Sequence, residues 1–201
     1  ARRRPTSMHV HAHAHVMLPR LREAAGALVT GHCVFTAAGI GAACTSRLDP
    51  PATAPSDPRC SKERALAAAM YSGRGLDEQA CSPQVTFTDP VARCSGRREV
   101  SEAFRALTFC RPEHVEAPRA NFIDDLTSTV DLHQRYFSCA LLPSGLVVRS
   151  TLLVRRRAAD GLVCELEERW NGALLFGWVA FRWARRVNGM LSSLLTPLLL
   201  R

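Results

Sequence analysis

A chain of 201 residues, 47% of them hydrophobic, suits one ordinary domain with extensions and excludes both a disordered polymer and a stapled miniature. Its net charge of +8 belongs to its ends: residues 1–60 hold seven Arg against three acids, residues 171–201 hold four Arg against none, and 61–170 balance at fifteen each. A dedicated nucleic-acid domain usually carries its positive face on the folded core, so the basic ends point instead to a membrane surface, an acidic partner, RNA or an import receptor, with nucleic acid the weakest of these.

Eight Cys stand at 33, 44, 60, 81, 94, 110, 139 and 164, with no C-x-x-C pair. That excludes finger-type and thioredoxin-type sites. A domain of this length does not need staples, which favours reduced, mostly buried thiols over a disulfide set. No cofactor and no metal site is implied.

Residues 1–60 read as a leader and linker. They are Arg- and Ala-rich, poor in acids, and close in the Pro-rich "RLDPPATAPSDPRC", a composition like that of an organellar transit segment, plastid or mitochondrial, and largely disordered. The uncharged run 24–46 is long enough to span a bilayer, but its Gly, Thr and His content makes insertion poor. His9, His11, His13 and His15 alternate and would point one way in an extended chain, yet no Cys or carboxylate completes a metal site.

From Ser61 the pattern becomes regular. "SKERALAAAMYSGRG" predicts a helix capped by Ser61 and stopped by Gly73 and Gly75. "VTFTDP" predicts a short strand ended by Pro90, and "GRREVSEAFRAL" an amphipathic helix with Val100, Ala103, Phe104 and Leu107 on one side. The period then changes to two. Val130, Leu132, Tyr136 and Ala140 share a face opposite Asp131, His133 and Arg135. Leu146, Val148, Leu152 and Val154 oppose Arg149, Arg155 and Arg157. In the last run Leu162, Cys164, Leu166 and Trp170 form the apolar side, which Glu168 interrupts. Pro143-Ser144-Gly145 and Ala159-Asp160-Gly161 read as hairpin connections, and Arg149 or Arg155 should pair with Glu165 or Glu167 across strands. The expected fold is α+β, an antiparallel sheet with one apolar face covered by the preceding helices.

With Phe87, Asp89, Pro90, Gly96, Val100, Phe104 and Leu107 in that order, and Glu168 to Gly172 closing the sheet, residues 61–172 resemble a SnoaL-like domain of the nuclear-transport-factor-2-like superfamily. The resemblance implies a cone: a strongly curved antiparallel sheet capped by N-terminal helices, with a pocket at its wide end. It also implies relatives that include isomerases, cyclases and dehydratases beside proteins with no known reaction. In an enzyme of this kind Asp89 would be the base and Tyr71 a hydrogen-bond donor, with Phe87, Phe104, Leu132, Tyr136 and Trp170 lining the pocket. Each has a plainer reading. Asp89 before Pro90 suits a turn acceptor, Tyr71 and Trp170 suit packing, and His133 falls on the polar face. No second acid or His is visibly placed to orient Asp89, so the sequence offers no dyad.

The chain departs from the resemblance after Gly172. Residues 173–201 read as an amphipathic basic helix with Phe176, Trp178 and Trp183 as apolar contacts and Arg182, Arg185 and Arg186 as cationic ones, suited to a membrane surface or a protein partner or to packing on its own domain. The expectation is therefore a non-catalytic domain binding an apolar small molecule, lipid or protein partner, with dimerisation open. A small proton-shuttling isomerase, dehydratase or cyclase acting on a hydrophobic substrate is the alternative.

Overall fold

In a computed structural model of the chain, residues 55–137, 146–170 and 179–199 are described. The hairpin expected at 143–145, residues 1–54 of the expected leader, and Phe176 and Trp178 lie outside them, whereas 55–60, expected as linker, pack on the domain, with Cys60 buried and the Asp57 amide donating to the Ala120 carbonyl at 2.9 Å.

Helix α1 (Ser61–Ala69) is entered through a tight turn, Pro58–Cys60. Ser61 is therefore not the cap. Asp57 takes that role one turn earlier, accepting from the Arg59 amide at 2.8 Å, because the proline turn moves the first free N–H groups upstream. Beyond α1 the chain widens into a π turn, Met70–Arg74, where Gly73 adopts φ 77°. A Cβ there would lie 2.4 Å from the Thr108 side chain, so only glycine closes this turn.

Strand β1 (Cys81–Thr88) and the short β2 (Arg93–Ser95) form a hairpin that leads into α2 (Arg97–Arg105). β3 (Pro112–His114), β4 (Arg119–Phe122), β5 (Thr127–Tyr136), β6 (Leu146–Arg156) and β7 (Val163–Trp170) complete a seven-stranded, open, curved sheet in the order β2-β1-β7-β6-β5-β3, with β4 also on β5. Among the described residues all pairings are antiparallel except one: β1 lies parallel to β7, with Phe87 opposite Leu166 and Thr88 opposite Glu167. The sheet is thus mixed at this seam, which joins the first strand to the last.

Alternation places Val130 and Leu132 of β5 and Val148, Leu152 and Val154 of β6 inward. α1 and α2 cover that face, through Leu66, Val100 and Phe104 among others. On β7 the predicted set shifts at its start. Val163 is buried and Cys164 only half-buried, because Arg155 stands opposite Glu165 and Arg156 opposite Val163, which leaves Cys164 as an extra, bulged residue of β7. From Leu166 the expected face is restored, and Glu168 and Trp170 are inward. On the wet face Arg155 pairs with Glu165 at 2.8 Å, one of the cross-strand pairs expected. His133 is half-buried and pairs with Glu116 at 3.1 Å. The turn at 159–161 closes β6 onto β7, with the Arg157 amide donating to the Leu162 carbonyl.

Helix α3 (Val179–Leu199) runs unbroken through Asn188-Gly189 and past Pro197. It packs on α2 and β2. Cys60, Cys81, Cys94 and Cys164 are free thiols, and burial pushes Cys81 up to about 11 and Cys94 up to about 12, which leaves both unreactive at neutral pH. Among the described residues no helix is long and apolar enough to cross a membrane, and no cluster of His, Cys, Asp and Glu is placed to hold a metal.

Candidate functional site

The parallel seam assembles an interior polar cluster. Glu168 sits on the inner face of β7, opposite Leu152 and between the buried Leu166 and Trp170. Asp89 follows β1 directly, one residue beyond the Thr88–Glu167 pair, so the two carboxyl groups come level at adjacent strand ends. Both are buried, at 9% and 4% exposure. Tyr71 reaches the cluster from the π turn, 2% exposed, its ring edge-on to Phe104 at 5.1 Å, with Phe87 edge-on to Phe104 at 4.7 Å on the other side. Ser150 of β6, opposite Trp170, completes the lining. Arg185 of α3, 8% exposed, closes the outer side and donates to the Asp89 backbone carbonyl at 3.3 Å.

These groups tune one another. Burial, then the nearby Glu168 carboxylate, push Asp89 up to about 7, against the pull of the Ala92 and Val91 amides and of Arg185. Burial likewise raises Glu168, opposed by Ser150, Tyr71 and Trp170, whose donors face it. Burial and the same carboxylate push the Tyr71 phenol well above its ordinary value. Its hydroxyl is buried and faces the Glu168 carboxylate, whose ionised form it favours. Burial lowers the Arg185 guanidinium against the pull of Asp89, and its Nε has no partner. Two carboxyl groups in one buried site disfavour double ionisation, which together with burial favours the neutral form of Asp89.

Asp89 also does what its turn position predicts: Oδ1 accepts from the Val91 amide at 2.7 Å and from the Ala92 amide. The second acid missing from the sequence reading is Glu168. Its signal was its position on the apolar side of a strand, an acid where alternation requires a hydrophobe. Of the residues expected to line a pocket, Phe87, Phe104, Leu132 and Trp170 are buried, and Tyr136 is half-buried and donates to Gln134 Oε1 at 2.7 Å. Of the residues expected to meet a membrane or partner, two are turned to the chain's own domain. Arg185 is buried over Asp89, and Arg186 grips Glu99 through both guanidinium nitrogens, Nη2 at 2.9 Å. Arg182 and Trp183 are exposed. A separate surface groove of about 470 Å³, lined by Ser56, Arg64, Glu116 and Arg119 among others, shares no residue with the acid cluster.

Neither a protein-family model nor a curated protein matches the chain. Solved structures similar to it include an NTF2-like protein from Anabaena variabilis, at 14% identity and TM-score 0.42 over 54% of this chain and 82% of that one. A protein with a ketosteroid isomerase-like fold from Catenulispora acidiphila, in complex with trimethylamine, is 16% identical with TM-score 0.39 over 54% and 84%. A putative polyketide cyclase from Xanthomonas campestris is 14% identical with TM-score 0.40 over 62% and 97%. The helices-first order and the open, curved sheet with its β1–β7 seam agree with the cone expected from the sequence, and likeness of this degree leaves the chemistry to the residues themselves. NTF2-like domains are shared by isomerases, cyclases and proteins without known activity, so the acid cluster has to be read on its own geometry.

Proposed function

We propose that this NTF2-like domain acts on a small, mainly apolar carbonyl compound by moving a proton at the carbon beside the carbonyl, with Asp89 as base. The observation that carries the reading is the meeting of Asp89 and Glu168 inside an apolar wall. A base works best near the operating pH, and a carboxyl held at about 7 can both take and return a proton. Glu168 adds to the burial that raises Asp89, so it is a tuning residue. The Tyr71 hydroxyl, buried beside the acid pair, supplies a donor for the carbonyl oxygen as charge develops there, exchanging Glu168 for the substrate. Phe87, Phe104 and Trp170 give the reacting carbon a dry surround.

A second reading is favoured by one observation: Asp89 Oδ1 already holds two turn amides. On that reading the domain binds an apolar molecule or lipid without changing it. Deuterium incorporation into a panel of cyclic β,γ-unsaturated ketones in heavy water separates the two. Catalysis predicts exchange with an apparent pKa near 7 that falls by a factor of about 10² or more in Asp89→Asn, with Glu168→Gln displacing the pH profile. Exchange unchanged in Asp89→Asn, in a variant that remains folded, overturns the catalytic reading. Saturable binding without exchange supports the carrier.

A further inference from the structure

Helix α3 is amphipathic in the reverse sense. The face turned to the protein is polar: Arg185, Asn188, Ser193 and Thr196 are buried, at 8%, 5%, 7% and 2% exposure, and Asn188 donates to the Val91 carbonyl at 2.9 Å. The face turned outward is apolar. Trp183 is 74% exposed, Met190 43%, Leu194 57% and Leu198 68%, with Val187 half-buried among them. At 100° per residue positions 183, 187, 190, 194 and 198 fall within one narrow stripe, diametrically opposite the buried polar set, and about 22 Å long. A helix packed on a water-soluble monomer does the opposite, so this stripe is built for an apolar medium beyond the domain.

The charges say which medium. Residues 171–201 carry four Arg and no acid. Arg182 and Arg93 are exposed, and the charge of each acts on Arg185, which makes the N-terminal half of α3 cationic. The nearby Glu99 is already taken by Arg186. A second copy of the chain would bring the same cations and no counter-charge on this helix. An anionic lipid surface supplies both the apolar layer and the phosphates, and α3, too polar on one side to span, would lie in the interface plane. We propose that the outward stripe of α3 seats the protein on an anionic membrane surface, with the polar face holding the domain against the helix.

The test is co-sedimentation of the full chain with vesicles of phosphatidylcholine plus phosphatidylserine and with vesicles of phosphatidylcholine alone. The same assay is run on Leu194→Ser/Leu198→Ser and on Arg182→Gln. These side chains are exposed, so far-ultraviolet circular dichroism should show the variants folded. The expected result is binding to the anionic vesicles alone, weakened about tenfold or more by the double Ser variant and about fivefold by Arg182→Gln. Comparing variants within the full chain separates α3 from the basic residues 2–4. Equal binding by the double Ser variant, no binding to either vesicle, equal binding to both, or a dimer in light scattering that the Ser substitutions dissolve would each overturn the proposal.

Discussion

At the scale of single residues, Asp89 meets opposed demands. Its turn amides and Arg185 favour the ionised form, while burial and Glu168 favour the neutral one, and the second pair prevails. The consequence for stability has a definite sign. Below 3.8 the carboxyl is protonated folded and unfolded alike, and between 3.8 and about 7 only the folded chain keeps the proton. Stability from this group is therefore fully present at the acid end of that window and is lost as pH rises through it, on the order of a few kcal/mol in all. Asp89→Asn keeps an oxygen for the Val91 and Ala92 amides but does not titrate. Urea unfolding of both proteins across the window should show the wild type losing ground to the variant as pH rises. A constant difference would remove the raised carboxyl. Glu168 was legible in the sequence as an acid on an apolar face. Its meeting with Asp89 was not, because it depends on parallel pairing of the first and last strands, for which no local pattern exists.

At the scale of elements, α3 is held by a close backbone approach. Gly189 lies in its middle, where a Cβ would stand 2.3 Å from the Arg93 carbonyl oxygen and 3.0 Å from Cys94 Sγ. On helix propensity alone Gly189→Ala should stabilise the protein by about 1 kcal/mol. The contact predicts the reverse, a net loss of about 1–3 kcal/mol as the helix is forced off β2, read from urea midpoints. A gain would mean that α3 does not sit this close. The sequence foretold a two-faced helix here, but a helical wheel cannot say which face turns inward. Hydrophobicity argued for burying the Trp183 and Leu194 side, whereas the partners of the polar side, Asp89, Val91 and Glu99, come from segments about ninety residues earlier. The strands were more legible. Alternation gave the inner faces of β5 and β6 directly, and missed on β7 only where the bulge beside Arg155 shifts Val163 inward.

At the scale of the molecule, a charge-balanced domain encloses an acid pair, and a basic helix locks over it. Arg185 covers Asp89 from the polar face of the same helix that shows its apolar stripe to the outside. Anything that shifts α3 therefore changes the cation nearest the pair, which ties the exterior of the protein to the chemistry of its interior. The proposed chemistry requires that this interior hold a proton near neutral pH, shared by Asp89 and Glu168. The most direct measurement is a carbon-13 titration of the Asp89 and Glu168 carboxyl signals in the full chain, repeated in Glu168→Gln. The account predicts an Asp89 midpoint near 7 that falls in the variant, where a neighbouring charge is gone but burial remains. Midpoints for both groups in the ordinary carboxylate range, insensitive to each other, would contradict it.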